Sequence, residues 1–353
     1  MGKMEGVPTP LRLPSSATSA ASTQTPQRVS RMRYFLLGSA LVIAGGAGLL
    51  WSWLQPAPPL AQGEEYRDDD APLPEAEAFV RLLLDHRPVE ALEKCLARYQ
   101  REVRHGMTAT LVKRERIYGQ PRPPQEPVQE VIDLAVRGDV PDDQGQTHIQ
   151  VRMIWREGAR SVLGSPLRGI LYVQSHGPEA DRILTYRPQA LLRPEHTIAV
   201  NDASAKSSSR YCVRDAGVYR GMLRTYNTWK QRQQAGRLHV RYLATEAVEV
   251  VGGRVCHILE RTCPEPEVDP FEIGGAPNIR PGDDPAELGV VRVRVYLDAE
   301  RWLQLGTELY RADGHLLASY YFRDVNLQPV WNDDEFTPAG LKRRVATLQS
   351  AQR

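Results

Sequence analysis

Four cysteines, eight histidines and an adjacent Ser175-His176 pair are the residues from which this chain of 353 could build a reactive centre. Neighbouring side chains on a strand point to opposite faces, so Ser175 and His176 cannot act as nucleophile and base. No G-x-S-x-G elbow, H-E-x-x-H helix or phosphate-binding loop occurs, and the histidines are scattered. Asp298, Asp324 and Glu335 fall at expected strand ends, where solvation of a turn explains a carboxylate as well as proton transfer does. Asp269, Glu272, Asp283 and Asp284 lack the spacing of a calcium loop. The cysteines lack the paired spacing of a zinc site. The expectation is no catalytic residue, no metal site and no cofactor.

Cys95, Cys212, Cys256 and Cys263 are candidates for a disulfide if the compartment is oxidising, and buried thiols otherwise. Cys256 and Cys263 share one expected strand. Seven residues of extended chain cover about 23 Å, well beyond the ~7 Å that a disulfide tolerates between Cα atoms.

The elements that would position a site begin with a membrane anchor. Residues 1–33 are rich in Ser, Thr, Pro and Ala and are expected to be a disordered, basic cytoplasmic segment. Residues 34–54 carry no charge, and at about 1.5 Å per residue they reach across ~30 Å of hydrocarbon. Arg28, Arg31 and Arg33 precede this run, and Trp51 and Trp53 stand at its far end. That order places the N-terminus in the cytoplasm and the remainder in the periplasm, anchored by a single pass in the inner membrane. The alternative is a cleaved signal peptide. Residues 55–74 form a Pro-rich acidic linker. Lys3, Arg12, Arg28, Arg31 and Arg33 stand against Glu5 alone within residues 1–62, a local +4. That leaves −2 for the rest of a chain whose net charge is +2. A folded part so close to neutral is not built for nucleic acid.

Residues 75–345 read as one domain, followed by a disordered tail at 346–353. Helices open at Pro74 and Pro88, and Leu92, Cys95, Leu96, Tyr99 and Val103 make one apolar stripe. Strands alternate next. Met107, Ala109 and Leu111 share a face, as do Ile132, Leu134 and Val136, and as do Ile149, Val151, Met153 and Trp155. The Ser- and Lys-rich stretch 202–210 reads as a loop. A second helix runs over 215–235, with Arg220, Arg224, Lys230 and Arg232 as a solvated face or, alternatively, a contact for lipid headgroups or protein. Strands flank Gly252-Gly253, and residues 264–289 form a long exposed loop. Further strands lie at 291–297, 307–311 and 316–325, the last two joined through Asp313-Gly314 as a tight turn. Leu316, Ala318, Tyr320 and Phe322 share one face of the last strand. Strands in succession without intervening helices imply an antiparallel meander, hence a mainly β, α+β fold.

This order of elements, with the segments "GMTATLVKRER", "GRVCHILE", "VYLD…DG…YYFRDVNL" and "DDEFTP", resembles a family of bacterial envelope proteins of unknown function, frequent in planctomycetes. It also resembles the lipoprotein-carrier fold of LolA and LolB. The resemblance implies a curled antiparallel half-barrel with helices on its concave side. Two helices cannot fill such a curve, so an apolar cavity is expected. Met107, Leu111, Ile149, Val151, Met153, Trp155, Tyr320 and Phe322 are its candidate lipid-binding residues. Three functions stay open: a non-catalytic, membrane-anchored binding module for a lipid or lipoprotein acyl chain; a structural or assembly protein that binds an envelope protein; and an enzyme with an unrecognised site.

The topology is testable. A periplasm-active reporter fused to the C-terminus should be active, and the protein should stay in the membrane pellet after a salt wash. An inactive reporter on a stably expressed fusion overturns the orientation.

Overall fold

Pro74 and Pro88 each open a helix, because the missing N–H costs nothing in a first turn. In the computed structural model α1 spans Pro74–His86 and α2 spans Pro88–Glu102. Described are residues 74–351 apart from 104, 118–122, 143, 160, 163–164, 176–180 and 268–288. All of them belong to one compact unit, Pro72–Arg353. The expected anchor at 34–54, residues 1–33, nearly all of the linker, His176 and the acidic loop carboxylates lie outside the described residues. No described helix is long and apolar enough to cross a membrane.

The strands are β1 (Met107–Glu115), β2 (Gln129–Arg137), β3 (Gln150–Glu157), β4 (Ser161–Val162), β5 (Ser165–Pro166), β6 (Gly169–Val173), β7 (Arg182–Tyr186) and β8 (Glu195–Ala199). A short helix α3 (Ala203–Lys206) and a long one, α4 (Val218–Gln234), interrupt them. The chain continues as β9 (His239–Val248), β10 (Arg254–Glu267), β11 (Val290–Asp298), β12 (Gln304–Tyr310), β13 (Leu316–Asn326) and α5 (Pro338–Ala351). Eleven strands make one sheet in the order β8-β7-β6-β3-β2-β1-β13-β12-β11-β10-β9, antiparallel throughout. Its ends, β8 and β9, do not meet, so the sheet is open. β4 and β5 pair only with each other.

The expected stripe of α2 is buried at Leu92, Cys95, Leu96 and Tyr99. Together with Val218, Met222 and Trp229 of α4 it packs on the inner face of the sheet, in one cluster with Ile132, Leu134, Val136, Val151 and Leu297. α5 lies on the opposite face, where Leu341 and Val345 cover Ala135, Ile154 and Leu171. This corrects two expectations. Helices occupy both faces of the sheet, and residues 346–351 are helical rather than a tail. The reason is the apolar spacing of Leu341, Val345 and Leu348, which lets the outer face stabilise the helix through its last turn.

Glu335 fastens that helix. Its carboxylate is 2.7 Å from Arg152 Nη1 on β3 and 2.8 Å from Arg344 Nη2 on α5. It is buried, not a solvated turn residue. Asp298 is buried too. It accepts from Arg254 Nε at 2.7 Å and Nη2 at 3.1 Å, and from the backbone N–H groups of Glu300 and Arg301 at 2.9 and 2.7 Å. Asp324 stands at positive φ, where β1 and β13 slip register, and accepts from Thr110 Oγ1 at 3.2 Å. The Asp313-Gly314 turn also differs from the expected two-residue form. Gly314 alone has positive φ, +81°, and Arg311 N–H donates to His315 O. That is a three-residue loop with glycine in the left-handed position.

Burial raises the proton affinity of Asp298, but the Arg254 fork and the two backbone donors outweigh it and hold the carboxyl below its ordinary range. Its contribution to stability is therefore present above the unfolded-state pKa of about 3.9 and fades as pH falls through the lower folded value. Asp298→Asn should cost about 2 kcal/mol at pH 7. The difference from wild type should shrink below about pH 4; urea melts at pH 7 and pH 3 measure both.

Candidate functional site

Between the inner face and the segment 203–217 the sheet leaves a cavity of about 540 Å³, within the range of small-molecule sites. Its walls are Leu111, Met153, Trp155, Ile170, Ile183, Ile198 and Phe322 from the strands, Val200 just after β8, and Ala205, Val213 and Ala216 from the segment. The segment 202–210, expected as a plain loop, folds on itself through its hydroxyls. Asp202 caps α3 by accepting from Ser204 N at 2.8 Å, and Ser208 Oγ donates to Ser204 O at 2.7 Å. It then turns into α4 at Gly217, whose φ of +102° strains any residue with a side chain, and where an added Cβ would stand a tight 3.3 Å from Val136 Cγ2.

Of the eight expected lipid-binding residues, the cavity brings together Leu111, Met153, Trp155, Tyr320 and Phe322. Met107, Ile149 and Val151 do not line it; they are buried in the packed core. The start of α4 sits close by: Val218 N lies 3.4 Å from Met107 Sδ.

The inner face also carries charge. Lys113 and Glu115 follow Leu111 at the same alternation, and Glu130 joins them from β2. All three are more than nine-tenths buried. Lys113 Nζ stands 3.0 Å from Glu115 and 3.7 Å from Glu130. Trp155 Nε1 donates to Glu130 at 2.6 Å, and the Tyr320 hydroxyl donates to Glu115 at 2.6 Å. Burial and the Glu115 charge push the Tyr320 phenol well above its ordinary range, so it stays protonated as a donor. Each buried charge thus has a partner, which is what a dry site demands. The arrangement is a chamber with a largely apolar lining, a buried charged wall at Lys113, Glu115 and Glu130, and further polar groups at Arg187, His196 and Arg224. Inward parity of Lys113 and Glu115 was the signal in the sequence for that wall.

The four cysteines are buried free thiols, so no disulfide links them. Burial raises Cys95 and Cys256 to about 12 and Cys212 and Cys263 to about 11, which leaves them unreactive at neutral pH. Among the described residues no group of three or more His, Cys, Asp or Glu is placed to hold a metal ion.

No protein-family model and no curated protein matches the sequence. Among solved structures the chain is similar to a chain of the Pseudomonas aeruginosa MucA/MucB complex, at 14% identity and a TM-score of 0.36, over 71% of this chain and 62% of that one. It therefore spans less than two thirds of that relative. It is similar to the Mycobacterium tuberculosis lipoprotein LppX at 10% identity and 0.35, over 70% and 100%. It is also similar to a LolA superfamily protein from Nitrosomonas europaea at 9% identity and 0.27, over 70% and 97%.

Truncation separates chamber from core. Leu134→Ala, in the packed core, should cost about 2–5 kcal/mol. Phe322→Ala, which faces the void on one side and has fewer contacts to lose, should cost under about 2 kcal/mol. Equal penalties in denaturant melts would mean the chamber is filled in solution.

Proposed function

We propose that the protein is a non-catalytic binding module for an acyl chain, of a lipid or a lipoprotein, anchored in the inner membrane with this domain in the periplasm. The observation that supports the reading is the cavity: about 540 Å³ of space lined by Met153, Ile183, Ile198 and Phe322. Empty apolar space costs stability, and an alkyl chain that enters it gains about 0.8 kcal/mol per CH₂. After association costs, that is enough for micromolar affinity. The anchor keeps the module at the bilayer from which such a ligand comes.

A second reading rests on the sheet edge. β9 is ten residues long and pairs only with β10 among the described residues. Its outer side offers backbone groups to a strand of an envelope protein. The two readings are compatible on one molecule, since the cavity and this edge are separate.

N-phenyl-1-naphthylamine is uncharged and fluoresces in apolar surroundings. Titrated into the full chain held in a non-ionic amphipol, it should bind saturably above the amphipol background. Ile183→Trp, which puts a bulky ring into the chamber, should weaken it by about tenfold, the equivalent of 1.4 kcal/mol. A linear, unsaturable signal removes the binding-module reading.

A further inference from the structure

Three of the four basic side chains on α4 stand by acids. Lys230 Nζ is 4.0 Å from Glu93, Arg232 Nε is 3.2 Å from Glu267, and Arg220 lies close enough to buried Asp139 to favour its carboxylate. Arg224 differs. Its guanidinium carbon lies 3.8 Å from the centroid of the Tyr211 ring, and it forms part of the wall both of the cavity and of a smaller crevice of about 60 Å³ beside it. Tyr211 in turn leans on Tyr320, with ring centroids 5.4 Å apart. The Tyr320 hydroxyl is committed to Glu115. Among the described residues no carboxylate pairs with Arg224. The expected solvated face of this helix is thus broken at one position, which turns a cation into the chamber.

We propose that Arg224 holds the anionic end of a single-chain amphiphile whose alkyl chain occupies the cavity. The inference rests on the cavity taking an apolar ligand. Stacking on Tyr211 fixes the guanidinium plane and leaves its edge, with the N–H donors, free to fork onto a carboxylate or a phosphate. The pairing gains from the chamber's low polarity, which screens it less than water does. Lys113 cannot take this role, because Glu115 and Glu130 already bracket it. The shared chemistry is an oxyanion on one alkyl chain. A fatty carboxylate and a lysophospholipid phosphate both supply it.

The test is displacement of N-phenyl-1-naphthylamine from the full chain in non-ionic amphipol by hexadecanoate, palmitoyl lysophosphatidate and 1-hexadecanol. At least one anion should displace the probe at a concentration roughly tenfold lower than the alcohol, the scale of one charge-assisted pair. The stronger of the two identifies the source. Arg224→Gln should remove the advantage of the anion, and Arg224→Lys should restore part of it, with circular dichroism checking that both variants fold. An alcohol that competes as well as both anions, or an anion advantage that survives Arg224→Gln, overturns the assignment while leaving the cavity reading intact. Failure of the probe and all three competitors to bind overturns both.

Discussion

Width governs this structure. Eleven strands at about 4.8 Å spacing span roughly 48 Å, whereas α2 and α4 side by side cover about 20 Å. The inner face is apolar over most of that width, so what the helices leave bare must be covered in another way. At the α4 end the solution is side-chain packing, with Met107, Val136 and Val218 in contact. Toward β6–β8 it is the Ser-rich segment, which reaches over the strands without filling the space beneath. The chamber is the part of the inner face that α2 and α4 leave unfilled, with Ala205 of α3 and Arg224 of α4 on its border.

Burying charge beside that chamber adds a second constraint. Lys113, Glu115 and Glu130 could not stay ionised in an apolar cavity as single groups. They hold each other, with Trp155 and Tyr320 as donors from two other strands. The cluster therefore ties β1, β2, β3 and β13 at the centre of the sheet. The outer face repeats the solution nearer solvent. There Glu260 lies 2.5 Å from Arg241 and 3.0 Å from Arg294, and Arg292 stacks on Tyr310 at 4.2 Å. The outer face is thus covered by α5 over β2, β3 and β6, and by its own long side chains over β9 to β12.

Much of the architecture was legible in local pattern. Alternation in β1 to β3 and in β13 set the inward faces, and the prolines and the stripe of α2 marked its helix. The antiparallel meander followed from strands in succession, and its curled, open form from the resemblance. Four features escaped, each because its cause is non-local. The face that α5 covers depends on Ile154 and Leu171, which are far from it in sequence and point opposite to the inner stripe. Met107, Ile149 and Val151 share the alternation of the chamber residues, yet they are buried in the packed core, with the start of α4 against Met107, and nothing in their own strands reveals where that helix comes to rest. Arg224 resembles its three basic neighbours on α4 until the tertiary structure sets it against Tyr211. The paired roles of Asp298 and Glu335 escaped for the same reason: Arg254 and Arg152 lie more than forty residues away in sequence.

The two halves of the sheet are unequal. From β9 to β13 the strands run seven to fourteen residues, while β6, β7 and β8 have five each and end at an open edge. A five-residue ladder holds few hydrogen bonds, and β8 is largely exposed. In free-energy terms short, exposed strands of this kind belong to the low-stability end of a structure. Ile183 of β7 and Ile198 of β8 line the chamber from this end. The wall of the chamber on that side is thus also the least hydrogen-bonded border of the sheet, and the long half carries most of the ladder.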